Sequence, residues 1–222
     1  AIGGGSTFLE IGVEDGRECN THLLLLKGWR GIWIEGAARQ VRVIGQALGA
    51  LSFPGQFEVR QSLVFPHNMA EHYRSACAFL EVADLDLFSL DVDGNDLFIL
   101  QALLASGARP KVICIEYNGK FPPDMAISIA ERTEGGWNAD DHFGASLAAF
   151  DPVLRAGGYQ LVTCNLTGAN AFYVLASEAC DLRDHDVADV WQPMRLDLMP
   201  MPSGHKPSLR YLRERLQQAA RP

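Results

Sequence analysis

The chain has 222 residues, enough for one domain with a single large core or for one domain with a tail. Its hydrophobic content of 48% is ordinary for a globular protein, and its formal net charge of −8 argues against a nucleic-acid partner, because phosphate binding needs a basic face. No apolar stretch approaches the ~20 residues needed to span a bilayer, so no membrane partner is expected.

The five cysteines are odd in number, widely spaced and without a C-x-x-C pair. This usage is typical of reduced, mostly buried thiols, and it predicts a cytoplasmic protein. No signal peptide is visible, although the missing initiator methionine leaves open whether the true N-terminus has been removed.

The first part of the chain follows a pattern of strand, loop, helix and strand. Residues 7–11 predict a strand, 12–16 a loop rich in glycine and acids, and Thr21 with the four leucines after it a helix. Residues 31–34 predict a second strand. Together these elements have the length of one βαβ unit.

The rest of the chain alternates in the same way. Helices are predicted over residues 37–48, 68–80, 97–105 and 145–156, and strands over residues 57–63, 85–90, 112–115, 159–164 and 171–175. Asn68 is expected to cap the second of these helices. The last two strands flank a turn rich in Asn, Thr and Gly, which predicts a hairpin. We therefore predict an α/β fold with a doubly wound, mostly parallel, seven-stranded sheet and an antiparallel terminal hairpin.

The domain is expected to cover residues 1–178, with residues 179–222 as a C-terminal tail. Several prolines interrupt the tail before the run R-Y-L-R-E-R-L-Q-Q, which predicts a short basic amphipathic helix. That helix would pack on the domain or on a neighbouring subunit, so a homo-oligomer is left open.

Acids stand where four of the predicted strands end. Glu10 and Glu35 close the first two strands, and Asp91 and Glu116 follow the fourth and fifth. Ligands of such sheets bind outside the carboxyl ends of the strands, near the point where the strand order reverses. The acids therefore predict a functional site at this edge.

The loop after the first strand indicates the kind of ligand. Gly12 and Gly16 give the spacing G-x-x-x-G instead of the G-x-G-x-x-G of a dinucleotide site. The carboxylates of Glu10, Glu14 and Asp15 would repel a diphosphate, but they suit a ligand with cationic, amine and hydroxyl groups, such as S-adenosylmethionine. The alternative is that Glu10 only caps a turn and that the acid closing the second strand lies on the surface.

Several blocks of the sequence resemble a known family. E-I-G-V-E-D-G resembles motif I of the class I S-adenosylmethionine-dependent methyltransferases, and I-E-G resembles their second-strand acid. The blocks D-G-R-E-C-N-T, L-K-G-W-R-G-I-W-I-E-G, L-D-V-D-G-N-D and G-A-N-A-F-Y-V are similar to the FkbM-like branch, over residues 8–176. That branch commonly has D-V-E-G-x-E where this chain has D-V-D-G-N-D, a departure that leaves the metal and the substrate class open.

The resemblance implies a Rossmann-like methyltransferase that binds S-adenosylmethionine and methylates a hydroxyl of a small molecule, such as a sugar or natural product. The residues implied to contact the cofactor are Glu10, Gly12, Gly16, Asn20, Thr21, Glu35, Ser62 and Asp91. The first three would hold the methionine portion, and the next two would bind its carboxylate. Of the others, Glu35 would hold the ribose, Ser62 would contact adenine or serve only as a turn residue, and Asp91 would lie under the methylsulfonium.

Two further predictions concern catalysis. His142 lies in a loop before a helix and is a candidate general base, or else a contact of that helix. Asp91, Glu116 and Asn118 form an all-oxygen set that suits Mg²⁺. Asp93 and Asp96 are possible substitutes in that set; the alternative is that they cap the next helix and that no metal binds.

Aromatic residues and the remaining histidines have less specific interpretations. Trp137 and Tyr117 are candidates for the wall of an acceptor pocket, whereas His67 and His72, which flank the start of a helix, favour structural roles. The sequence is also compatible with two functions other than methylation, that of an NAD-dependent oxidoreductase and that of a non-catalytic protein that binds the cofactor or a partner.

Overall fold

The computed structural model describes residues 7–195, apart from residues 18, 49–55, 135–136 and 138–139. The predicted amphipathic helix near the C-terminus therefore lies outside the described residues. Within them, no helix is both long and apolar enough to cross a membrane.

A seven-stranded sheet forms the centre of the molecule and confirms the predicted fold class. Its strands are β1 Thr7–Ile11, β2 Arg30–Glu35, β3 Phe57–Gln61, β4 Leu87–Leu90, β5 Val112–Glu116, β6 Tyr159–Cys164 and β7 Asn170–Leu175. They lie in the order β3-β2-β1-β4-β5-β7-β6. The first five strands are parallel, and β7 runs antiparallel to both of its neighbours. The strand order reverses between β1 and β4, which lie side by side.

Helices cover both faces of the sheet, as predicted for a doubly wound fold. They are α1 His22–Leu26, α2 Ala38–Leu48, α3 Pro66–Leu80, α4 Asp96–Ala105, α5 Leu147–Ala156 and α6 Val187–Val190. Leu9 and Ile11 of β1 belong to the apolar cluster on the side of α3, α4 and α5. Phe8, between them in sequence, joins Trp33 in the smaller cluster with residues of α1 and α2. Successive side chains of a strand point to opposite faces, so the central strands are apolar throughout.

The start of α3 differs from the prediction. Asn68 does not cap the helix; Pro66 is its first residue, where a missing backbone N–H costs no hydrogen bond. Asn68 lies in the first turn and accepts a hydrogen bond from the backbone N–H of Phe65 at 2.8 Å. Strand β3 ends at Gln61, two residues before the predicted end.

Part of the predicted tail contacts the domain. The hydroxyl of Tyr117 donates to the carbonyl of Gln192 at 2.8 Å, and the N–H of Arg195 donates to the carbonyl of Thr167 at 2.8 Å. We call residues 191–195 the C-terminal strap. The division of the chain at residue 178 stays a prediction, but Met194 of this strap lines a cavity at the carboxyl ends of the strands.

Candidate functional site

A cavity of about 650 Å³ lies across the carboxyl ends of β1 to β5. The charged residues that line it are Glu10, Glu14, Glu35, Asp91, Asp93, Glu116, Arg132 and Glu134. All four acids predicted at the strand ends are among them, so the sheet topology brings these side chains to one cavity.

The predicted site residues divide into two groups by position. Those that line the cavity are Glu10, Gly12, Asn20, Glu35, Ser62, Asp91 and Glu116. Gly16, Thr21, Asn118 and His142 are not among the lining residues. Each of these four has a packing or hydrogen-bonding role behind the cavity wall.

The two glycines of the first loop are required by close packing. Both have positive φ, +80° at Gly12 and +81° at Gly16. A Cβ atom on Gly12 would lie 1.5 Å from the carbonyl oxygen of Asp91, and one on Gly16 would lie 2.9 Å from a ring carbon of Trp33. The first glycine thus joins the ends of β1 and β4, and the second supports the loop from behind.

Glu10 is buried and accepts hydrogen bonds from the loop that leads into α1. The N–H of Asn20 donates to Oε1 at 2.7 Å, and the N–H of Thr21 donates to Oε2 at 3.1 Å. The hydroxyls of Thr21 and Ser89 donate to the same carboxylate. Burial raises the pKa of Glu10, and these donors partly offset the rise. Glu10 therefore positions Asn20, which does line the cavity.

Thr21 lies behind the wall. Its side chain is fully buried, and its Oγ1 accepts a hydrogen bond from Trp33 Nε1 at 2.7 Å while donating to Glu10. Its hydroxyl is thus engaged within the protein, and the predicted contact with a ligand carboxylate is left to Asn20.

Glu35 is held at the cavity wall by two backbone donors. Its Oε2 accepts from the N–H of Glu14 at 2.8 Å, and its Oε1 accepts from the N–H of Ala37 at 2.7 Å. The carbonyl of Glu35 accepts from the N–H of Ser62 at 3.1 Å, so the ends of β2 and β3 are tied together. Each carboxylate oxygen keeps a lone pair for a further donor.

Three carboxylates meet at the ends of β4 and β5. Asp91, Asp93 and Glu116 each offer an oxygen, and these oxygens lie within 4.8 Å of one another. Burial is the largest cause that raises the pKa of all three, and nearby carboxylates add to it; the pKa of Asp93 rises to about 7, with Asp96 and Glu14 as its main charged neighbours. Oε2 of Glu116 is buried and accepts no hydrogen bond from the described residues. We call these three residues the acid triad.

The predicted metal set is changed in one member. The amide of Asn118 donates to the carbonyls of Asp141 and Phe143, at 3.1 and 3.2 Å, and its oxygen accepts from the N–H of Lys120 at 3.2 Å. Asn118 therefore fixes the loop after β5, and Asp93 stands beside Asp91 in its place. This acid set fits a hard divalent cation by its chemistry.

Asp96 has the local role that the alternative interpretation gave it. Its carboxylate accepts from the N–H groups of Val92 and Gly94, both at 2.9 Å, and so holds the loop that begins α4. Asp93, by contrast, receives no such bond from the part of the chain that the structure describes, and it faces the cavity with the rest of the acid triad.

His142 is buried and does not reach the cavity lining, which removes the geometric basis for its predicted role as general base. Its Nδ1 lies 3.0 Å from Nη2 of Arg132, which also donates to the carbonyl of His142 at 2.8 Å. The amide of Asn95 pairs with the backbone N–H and carbonyl of Arg132, both at 2.8 Å. His142 and Asn95 thus position Arg132, a lining residue that the sequence did not single out.

Another part of the cavity wall comes from the β6–β7 turn, the strap and the side chain of Trp137. Trp137 lines the cavity, whereas Tyr117 is fully buried beneath the strap. A Cβ atom on Gly168, at the turn, would lie 2.2 Å from the carbonyl oxygen of Pro193 in the strap. This close packing brings Met194 to the cavity. Arg132 and Met194 belong to no periodic pattern in the sequence, so nothing in the sequence signals that they line the cavity.

No family model matches the chain, and no similar curated protein was found. Among solved structures, it is similar to an O-methyltransferase from Bacillus cereus in complex with S-adenosylhomocysteine, at 16% identity and TM-score 0.48, over 76% of this chain and 72% of that one. The fibrillarin pre-rRNA processing protein of Methanococcus jannaschii is 14% identical, with TM-score 0.48, over 79% of this chain and 68% of that one. A TehB-like S-adenosylmethionine-dependent methyltransferase from Corynebacterium glutamicum is 15% identical, with TM-score 0.41, over 77% and 80%. At these values the likenesses do not identify a function.

Proposed function

We propose that the chain is an S-adenosylmethionine-dependent O-methyltransferase that acts on a hydroxyl of a small molecule, such as a sugar or natural product. The observation that carries the proposal is the position of Glu35, fixed by two backbone donors at the wall of a cavity that begins at the switch point of the sheet. A carboxylate at this place can accept both hydroxyls of a ribose.

The rest of the cavity suits the remaining parts of that cofactor. Asn20, positioned by Glu10, would bind the methionine end beside Gly12. The loop after β3, with Ser62 and the apolar residues that follow it, would hold the adenine base. Among the described residues that line the cavity, acids outnumber guanidinium groups, which suits a ligand with a sulfonium and an ammonium.

Methyl transfer needs alignment and the removal of one proton. The acceptor oxygen attacks the methyl carbon in line, the new O–C bond forms, and the C–S bond breaks to give S-adenosylhomocysteine. The acceptor's proton passes to a carboxylate, for which Asp91 is our candidate, because its raised pKa makes it a stronger base than an ordinary aspartate. His142 has no part in this step because it lies outside the cavity lining.

The acid triad would also hold a divalent ion such as Mg²⁺. A metal bound there would supply positive charge that lowers the pKa of an acceptor hydroxyl. Once an acceptor is known, activity measured in EDTA and after adding back Mg²⁺ or Mn²⁺ tests this version. Full activity in EDTA would remove the metal and leave the methyltransferase proposal intact.

The proposal is tested by replacing the carboxylate that carries it. Glu35→Ala should weaken binding of S-adenosylhomocysteine by roughly 1.5–3 kcal/mol, the range for hydrogen bonds to a charged group. Calorimetric titration measures it. Glu131→Ala is the control, because Glu131 is an exposed acid outside the cavity. An unchanged dissociation constant for Glu35→Ala would remove Glu35 from the site.

Catalysis is tested separately from binding. Single-turnover release of S-adenosylhomocysteine with a panel of hydroxylated acceptors should show turnover with at least one of them. Tight binding of the cofactor with no turnover on any acceptor would favour a non-catalytic cofactor-binding protein instead.

A further inference from the structure

Two side chains on one face of α3 form hydrogen bonds with the loop that joins β3 to α3. Asn68 accepts from the N–H of Phe65 at 2.8 Å and donates to the carbonyl of Leu63 at 3.0 Å. His72, one turn later on the same face of the helix, has its Nε2 3.2 Å from Oγ of Ser62. All four residues of this loop, 62–65, line the cavity. The helix therefore fixes both the path of the loop and the surroundings of its one hydroxyl.

The loop lies beside the carboxylate assigned to the ribose. The N–H of Ser62 donates to the carbonyl of Glu35 at 3.1 Å, so the two residues are adjacent across the ends of β2 and β3. A base attached to a ribose held by Glu35 would meet this loop. Leu63 and Val64 offer it apolar contact, and Ser62 offers the only side-chain hydrogen-bonding group of the loop.

The protonation state of His72 decides whether the Ser62 hydroxyl can donate or accept a hydrogen bond in the cavity. Burial lowers the pKa of His72; nearby Glu71 raises it, and Arg60 lowers it. Arg60 itself donates to Glu58 and Ser75, so its guanidinium is engaged elsewhere. The His72 ring is thus neutral near pH 7, with one nitrogen that accepts. The Ser62 hydroxyl also lies 3.4 Å from the carbonyl oxygen of Leu63, a longer contact than the 3.2 Å to His72 Nε2. When Nε2 accepts the hydroxyl proton, Ser62 Oγ is left as an acceptor.

We propose that His72 is a positioning residue that turns the Ser62 hydroxyl away from the cavity, so that Ser62 Oγ accepts from the exocyclic amine of adenine. Hypoxanthine carries a carbonyl oxygen at that position, and two acceptors would then face each other. The pair therefore makes the cavity selective for an adenine nucleoside. This inference rests on the proposed function, because it assumes that the bound nucleoside is that of S-adenosylmethionine.

The test compares S-adenosylhomocysteine with S-inosylhomocysteine by calorimetric titration at pH 7.5. The wild type should bind the adenine compound at least about fivefold more tightly. This ratio corresponds to one hydrogen bond to Ser62 Oγ that the adenine compound makes and the hypoxanthine compound does not. His72→Leu and Ser62→Ala should each reduce this preference to less than about twofold. His72→Gln should keep most of it, because its Oε1 can accept the same proton.

The ratio of the two affinities separates positioning from general damage to the fold. A purely structural role of His72 would weaken both ligands equally and leave the preference unchanged, and that result would overturn the inference. Arg74→Leu, an exposed change on the same helix, should keep the wild-type preference. If His72→Leu does not fold, the inference can still be overturned, either by an unchanged preference in Ser62→Ala or by a lost preference in His72→Gln. A wild type that binds both compounds equally overturns this inference alone, whereas one that binds neither overturns the proposed function as well.

Discussion

Glu10 shows how one buried carboxylate can shape the wall of a cavity by binding the protein's own backbone. It accepts from two backbone N–H groups and two hydroxyls, and these bonds set the path of the chain into α1. Glu35 likewise holds the loop after β1, because its carboxylate accepts from the backbone N–H of Glu14. Both acids therefore act first on the protein's own backbone.

Glu10→Gln should lower the free energy of unfolding by about 1–3 kcal/mol, because the new amide NH₂ group would face N–H donors and leave at least one of them without an acceptor. Denaturant unfolding of the two proteins measures the loss. The same variant should bind S-adenosylhomocysteine more weakly, since Asn20 loses its support. Unaltered stability would show that these hydrogen bonds are dispensable.

The acid triad predicts a dependence of stability on pH. The pKa of Asp93 rises from 3.8 to about 7 in the folded protein, so its contribution to stability is present below 3.8 and is lost as the pH rises toward 7. Without divalent metal, the free energy of unfolding should fall between pH 5 and pH 8, and Asp93→Asn should reduce that fall by at least about 1 kcal/mol. Urea unfolding at both values tests it.

Asp124→Asn is the matched control for this measurement, because Asp124 is exposed and lies outside the cavity. It should leave the difference between pH 5 and pH 8 as in the wild type. An equal reduction by both variants would mean that Asp93 is not the source of the pH dependence.

At the scale of elements, the β6–β7 turn and the strap depend on each other. Gly168 has φ +73° and lies directly under Pro193, whereas Gly107 has φ +88° with nothing near its missing Cβ. Ala at either position adopts a strained conformation, but only Gly168→Ala also collides with the strap. Gly168→Ala should therefore cost at least about 1 kcal/mol more in unfolding free energy than Gly107→Ala. Equal losses in thermal or urea unfolding would contradict this packing.

The order of the elements could be predicted from the sequence because apolar runs, glycines and prolines mark their limits. The acids at the strand ends followed from the same pattern, since parallel strands present their carboxyl ends at one edge. The direction of a side chain just beyond a strand could not be predicted. Asn118 turns into its own loop, and Asp93 faces the cavity from a left-handed backbone conformation, φ 53°, that no periodic pattern signals.

Contacts between residues of different loops could not be predicted from the sequence either. His142 contacts Arg132, and Met194 reaches the cavity because the strap packs on Gly168 with no side chain between the two backbones. Such contacts depend on loop conformation, and a single sequence carries little information about it.

At the scale of the whole molecule, ligand binding should be visible as stabilisation. S-adenosylhomocysteine at 100 times its dissociation constant should add about 2.7 kcal/mol to the free energy of unfolding. For a chain of this size that raises Tm by about 5–11 °C. NAD at the same concentration should leave Tm unchanged, because the first loop lacks the dinucleotide pattern and carries acids. Stabilisation by NAD alone would instead support the oxidoreductase alternative.

The position of β7 inside the sheet has a consequence for synthesis of the chain. Strand β5 pairs with β4 on one side and with β7 on the other, and β7 ends 59 residues after β5. While the ribosome is still making the intervening residues, the apolar edge of β5 has no partner, and an open apolar edge is a site for pairing with other chains. Nascent chains halted before residue 170 should therefore depend on chaperones more than chains halted after residue 195, which carry both β7 and the strap.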